Sequence, residues 1–167
     1  TNGIGQLCSV NRTGSSTKNF IYTNRGLMYS DATILGTKNW LNNYTYDYQG
    51  NVVQIKYPDN SSVHYTYNNS GQTIQIEKQD TPTGAWSNVI SNITYNPLGQ
   101  KEVISYANGR TQTYTYDVTK QYRLSRNTLD APAGYVYPKF IDTLYIFSPS
   151  GNLTQKTENF NLINPQT

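Results

Sequence analysis

The chain has 167 residues, a formal net charge of +3 and 14% charged residues, a length that corresponds to about one domain able to bury a real core. Its 13 lysines and arginines are dispersed with no run of three, which excludes the basic footprint of a nucleic-acid binder. Cys8 stands alone, so there is no internal disulfide, and no stretch approaches the roughly 18 apolar residues of a membrane span. The remaining composition is lopsided: 16 Tyr against 1 Met, with many Asn, Thr, Ser and Gly. Helix formers are scarce and β-branched and aromatic residues abundant, so the expected fold is all-β. Tyrosine carries the apolar area that aliphatic residues would supply elsewhere, while its hydroxyl keeps a polar partner.

In chain order, the first recurring unit is the turn half of a hairpin, Asn2-Gly3-Ile4-Gly5-Gln6-Leu7, with Cys8 to Val10 as its outgoing strand. The opening reads as the middle of a repeat, with neither charged leader nor apolar segment, and is expected to be a stretch of a longer chain. Phe20-Ile21-Tyr22-Thr23-Asn24-Arg25-Gly26-Leu27 is the second unit, with Thr23 in place of an acid. The third is the best formed, Tyr44-Thr45-Tyr46-Asp47-Tyr48-Gln49-Gly50-Asn51-Val52. Tyr44 and Tyr46 fall on one face of an extended chain, Asp47 accepts from the turn's backbone, Gly50 tolerates positive φ, and the chain leaves as β-branched Val52-Val53. The fourth unit holds Tyr65, Tyr67 and Gly71, the fifth Ile93, Tyr95, Asn96 and Gly99, and the sixth Tyr114-Thr115-Tyr116-Asp117. The sixth then departs from the pattern, with Lys120-Gln121-Tyr122 where a glycine belongs. The seventh is Tyr145-Ile146-Phe147-Ser148-Pro149-Ser150-Gly151.

Seven turn units, five of them led by an aromatic-x-aromatic pair, at a period near 20 residues predict stacked supersecondary units. A second turn lies midway, at Pro58-Asp59-Asn60-Ser61 and at Asn108-Gly109, the latter a strong signal for a two-residue hairpin. The expected fold is therefore consecutive antiparallel hairpins over 1–167, about seven repeat units without an independent second domain. Longer surface loops are expected near 79–87 and 129–138. No helix is expected, and the stretch 30–40 shows neither helical nor strand periodicity.

The repeat Tyr-x-Tyr-Asp-x-x-Gly-x-Leu/Val, with a Pro-Asp or Asn-Gly turn about ten residues on, resembles the YD repeats of the Rhs family. That family includes bacterial Rhs toxins, the B and C components of Tc toxin complexes, and teneurins. A further passage, Tyr122-Arg123-Leu124-Ser125-Arg126-Asn127-Thr128 followed by Asp142 to Thr154, is similar to a segment of the Tc B component, with Phe147 and Ser148 replacing the usual Tyr-Asp. The resemblance implies a spiral β-shell, secreted or at the cell surface, enclosing or presenting a C-terminal toxin or effector part of the same polypeptide. The expected partners are then the remainder of that shell and its cargo. Asn96-Pro97-Leu98-Gly99 superficially matches the family's self-cleavage core but occupies a turn slot.

The repeat-motif residues Tyr44, Tyr46, Asp47, Gly50, Tyr65, Tyr67, Gly71, Tyr95, Gly99, Tyr114, Tyr116, Asp117, Tyr145 and Gly151 are read as structural. The tyrosines are expected to form a ladder of ring contacts. The competing reading is an exposed aromatic platform for cell-surface glycans. Asp47, Asp59 and Asp117 recur at equivalent positions, which spreads them along a surface and denies them the convergence that paired carboxylate catalysis needs. His64 has no second His or Cys nearby in sequence, and neither a catalytic pair with Cys8 nor a metal set is legible. No enzyme activity and no cofactor are expected.

Overall fold

Short runs of alternating β-branched, aromatic and polar residues, each closed by Gly, Asn or Asp, favour paired strands over helices. In the computed structural model, which describes residues 4–135 and 139–159, that pattern yields an antiparallel meander in each of two compact units, Thr1–Ser87 and Asn88–Thr167. The first unit contains β1 (Ser9–Arg12), β2 (Ser16–Tyr22), β3 (Met28–Leu35), β4 (Lys38–Tyr46), β5 (Val52–Lys56), β6 (Ser62–Tyr67) and β7 (Thr73–Gln79). Each pairs with the next in sequence. The second contains β8 (Ser87–Tyr95), β9 (Lys101–Tyr106), β10 (Thr111–Asp117), β11 (Arg123–Asp130), β12 (Lys139–Phe147) and β13 (Leu153–Glu158), again paired in order. The chain is all-β, as its composition predicts; a short 3₁₀ turn, Val118–Lys120, is the one helical element among the described residues.

Each unit is a single layer of sheet. Among the described residues the buried hydrophobic side chains are Ile93 and Ile104, which face each other across β8 and β9. Ser30, Asp31, Ser62, Asn96, Thr128 and Thr143 are the buried polar ones. Cohesion therefore rests on ladder hydrogen bonds and cross-strand side-chain pairs more than on a closed core.

Three expectations are corrected. The stretch 30–40 is strand: β3 and β4 pair from Ser30↔Asn43 to Leu35↔Lys38 around Gly36-Thr37. Its alternation is hidden because both faces carry mixed residues. Asn108-Gly109 does not form a two-residue hairpin. Tyr106 N–H donates to Arg110 O and Gly109 N–H to Tyr106 O, a three-residue loop in which Gly109 (φ +80°) takes positive φ while Asn108 does not. A two-residue turn of the Asn-Gly kind would need both residues there. Finally, β11 runs on to Asp130, so the second long loop starts later than expected. Residues 136–138 of that loop, and Asn2 and Gly3 of the first unit, lie outside the described residues.

The register slips at the same place in six hairpins, just before the second aromatic of the motif: at Tyr22, Tyr46, Tyr67, Tyr95, Tyr116 and Phe147. Such a bulge adds a residue to one strand, increases local twist and disturbs the ladder at that point.

Candidate functional site: the turn and tyrosine ladder

The repeated turn is one piece of geometry made from different residues. In the third hairpin Asp47 N–H donates to Asn51 O at 3.0 Å, Gly50 N–H donates to Asp47 O at 3.2 Å, and Asp47 Oδ1 accepts from Asn51 N–H at 2.9 Å. Thr23, Asn68, Asn96 and Ser148 repeat all three bonds, the last through a hydroxyl that accepts from Asn152 N–H at 3.1 Å. The slot needs a short side-chain oxygen, not a charge. Asp47 and Asp117 are both held below the usual carboxylate range, Asp47 chiefly by the Asn51 side-chain amide and Asp117 chiefly by the Thr119 hydroxyl. Gly50, at φ +95°, supplies the backbone that lets Asp47 close the loop, and Gly71, Gly99 and Gly151 take the same place in their own turns.

The tyrosines do something the sequence reading missed. Tyr46 donates its hydroxyl to Met28 O at 2.7 Å, Tyr67 to Val52 O at 2.7 Å, Tyr116 to Lys101 O at 2.8 Å and Tyr22 to Leu7 O at 2.9 Å. In each case the acceptor lies two residues past the turn glycine of the preceding hairpin. Met28, Val52 and Lys101 are also the residues paired with Tyr22, Tyr46 and Tyr95 at the register slips. The second aromatic of one hairpin thus ties down the outgoing strand of the hairpin before it, beside the bulge. This replaces the expected ring-on-ring ladder. Tyr44 faces Ile55 and Tyr65 faces Ile76, so motif tyrosines of successive hairpins are two strands apart. At about 4.8 Å per strand, that is beyond ring-contact range. Among the described residues the ring contact found is between His64 and Trp86, at 5.8 Å.

Burial raises the hydroxyls of Tyr46, Tyr65, Tyr67, Tyr95, Tyr114 and Tyr116 above the ordinary tyrosine value. Tyr44 is pushed up to about 12, first by burial and then by its 2.7 Å bond to the buried Asp31. Asn42 Nδ2 donates to the same carboxylate at 3.2 Å. Nothing in the sequence marked Asp31. It falls in the stretch without visible periodicity, and register alone places it opposite Asn42.

Longer polar side chains join neighbouring turns along the same edge. Arg25 donates to Asp47 O at 3.1 Å and to Tyr48 O at 2.8 Å, Gln6 to Gly26 O at 3.5 Å, and Gln100 to Tyr122 O at 3.1 Å. The sixth hairpin keeps Tyr114 opposite Asn127 and Tyr116 opposite Leu124 but closes differently. Asp117 caps the 3₁₀ turn through Thr119, and Gln121 and Tyr122 adopt φ +59° and +56° where other turns use one glycine. In the seventh, Tyr145 lies opposite Lys156, and Phe147 has no hydroxyl to donate.

Cys8 is exposed just before β1, while His64 is on β6 beside Glu77, 3.5 Å away. No helix among the described residues is long and apolar enough to cross a membrane, which leaves crossing by strands unaddressed.

A meander of bulged hairpins, four of them pinned to the hairpin before through a tyrosine hydroxyl, shares its fold with a YD-repeat shell. No family model and no curated protein matches the sequence. Among solved structures, the chain is similar to the crystal structure of TcdB2-TccC3 without its hypervariable C-terminal region, at 16% identity and a TM-score of 0.81. The TcdB2-TccC3-Cdc42 structure gives the same values and TcdB2-TccC3-TEV a TM-score of 0.79 at 16% identity. Each match covers 93% of this chain and 8% of the other, so the chain spans about one-twelfth of the length of those proteins.

Proposed function

We propose that this chain is a structural wall segment of a secreted YD-repeat shell, and that the shell encloses or presents a toxin or effector part of the same polypeptide. The observation that carries the reading is how the repeated polar chemistry is used up. The turn oxygens are bonded within their own turns and four motif hydroxyls are bonded to the preceding hairpin. Side chains engaged in this way hold wall geometry and offer little to a substrate. The reading assigns no catalytic residue and no cofactor, and its partners are the rest of the shell and the enclosed segment. Protease protection of the C-terminal segment within the full parent polypeptide tests it. The segment should resist digestion in the intact protein and be cleaved once Tyr46→Phe and Tyr67→Phe loosen the wall. Equal cleavage in the intact and altered proteins would contradict enclosure.

One observation favours the alternative, a carbohydrate-binding or adhesion surface, and it is not in the tyrosine stripe. Asn39, Trp40, Tyr57, Pro58 and Asp59 line an open hollow of about 550 Å³, with the Trp40 ring substantially exposed. Selective binding on a glycan array that disappears in Trp40→Ala would establish that reading. No binding leaves the wall role alone, and binding that survives the substitution would put it outside this hollow.

A further inference from the structure

The joints between successive hairpins are not chemically alike. Where β3 meets β4, the tie is the Tyr46 hydroxyl on Met28 O; where β5 meets β6, it is Tyr67 on Val52 O; where β9 meets β10, it is Tyr116 on Lys101 O. None of the described salt bridges crosses any of these three joints.

Between the sixth and seventh hairpins, where β11 meets β12, the pattern inverts. Phe147 sits in the hydroxyl-bearing slot and cannot donate. In its place the Arg123 guanidinium lies 5.8 Å from the Phe147 ring centre. A side-chain carbon added at Gly151 would collide with that guanidinium, so the arginine is seated directly on the seventh turn. Farther along the same joint, Arg126 makes a two-point bond to Asp142, Nε to Oδ1 at 2.7 Å and a terminal nitrogen to Oδ2 at 2.6 Å. Beyond it, Lys139 Nζ lies 3.4 Å from Asp130 Oδ1. Among the described residues these are the Lys or Arg to carboxylate bridges that join two different strands.

We infer that the joint between β11 and β12 is an electrostatic seam, built to part when its charges are screened or neutralised while the hydroxyl-tied joints stay closed. The physics separates the two kinds of joint. A neutral hydroxyl-to-carbonyl bond is nearly indifferent to ionic strength, whereas ion pairs and cation–π contacts on an open sheet weaken as salt rises. Asp142 is the most enclosed partner, with Arg126 more open, so the seam loosens gradually instead of snapping at low salt. Arg123 also spends bonds on its own loop, reaching Lys120 O at 3.5 Å and Gln121 Oε1 at 3.3 Å, so its hold on the seventh hairpin depends on the strained sixth turn.

Hydrogen exchange on the purified chain tests this, with the β3–β4 amides as the internal reference. Raising salt from about 0.05 to about 0.5 M should speed exchange across β11 and β12 by about threefold and leave β3 and β4 within error. Asp142→Asn should produce a comparable acceleration at low salt and flatten the salt response. Phe147→Tyr, which restores the missing hydroxyl, should slow β11–β12 exchange by up to about fivefold. Equal salt response in both joints overturns the inference, as does an Asp142→Asn protein whose β11–β12 amides keep the parent's rates and salt dependence. The salt titration of the unaltered chain decides the question even where a variant fails to fold.

Discussion

The third and sixth hairpins carry the same four residues, Tyr44-Thr45-Tyr46-Asp47 and Tyr114-Thr115-Tyr116-Asp117, and fold differently after the fourth. Up to that point they agree. Both slip register before the second tyrosine, and both second tyrosines donate to the outgoing strand of the hairpin before. Past the acid they part. Gly50 closes a tight loop, whereas Gln121 and Tyr122 close a longer one through a 3₁₀ turn with two left-handed residues. The aromatic pair fixes the joint between hairpins, and the glycine fixes the turn. The two are separable, and the sixth hairpin keeps the first without the second.

That separation can be broken from either side. The largest effect is expected at Tyr44, where the equivalent Tyr114 serves as control. Tyr44→Phe leaves the buried Asp31 short of a donor and should cost about 2 kcal/mol in urea unfolding, while Tyr114→Phe, whose hydroxyl has no bonded partner among the described residues, should cost well under 1. The same contact gives a pH signature. The Tyr44 hydroxyl is raised in the fold, so its contribution is complete below the ordinary tyrosine value near 10 and is lost as pH climbs towards about 12. Alkaline unfolding followed by tyrosinate absorbance should begin earlier in Tyr44→Phe.

Next come the turns, in opposite directions. Gly50→Gln forces a side chain into φ +95° and should lower stability by about 1–2 kcal/mol. Gln121→Gly relieves a left-handed glutamine and should raise it by somewhat less than 1 kcal/mol, since glycine's greater freedom in the unfolded chain offsets part of the gain. If both substitutions destabilise equally, the sixth turn is not strained and its sequence is simply another good solution.

Much of the fold was legible because hairpin chemistry is local. Asp47, Gly50 and the alternation around Tyr44 and Tyr46 announce a strand, a turn and a strand within ten residues. The hidden parts depend on partners distant in sequence. Met28 O, 18 residues from Tyr46, becomes its acceptor only after a bulge sets the register, and no residue type signals a carbonyl. Asp31 becomes the anchor for Tyr44 only once β3 pairs with β4, and that strand pair has no clean alternation to read. Arg25 was visible as part of a repeat but not as a clamp on the next turn, because its reach crosses two strands. The Asn108-Gly109 loop was misread because the dipeptide suits both loop lengths, and the pairing of Tyr106 with Arg110 decides between them.

The claim that motif tyrosine hydroxyls tie a hairpin to its predecessor is tested most directly by hydrogen exchange in Tyr46→Phe, with Tyr48→Phe, 85% exposed in the neighbouring turn, as control. Loss of about 1 kcal/mol at the tie predicts roughly fivefold faster exchange at the start of β3, in the hairpin before the substitution, and unchanged rates in Tyr48→Phe. Faster exchange confined to the substituted hairpin itself, with the start of β3 as protected as in the parent chain, would contradict it.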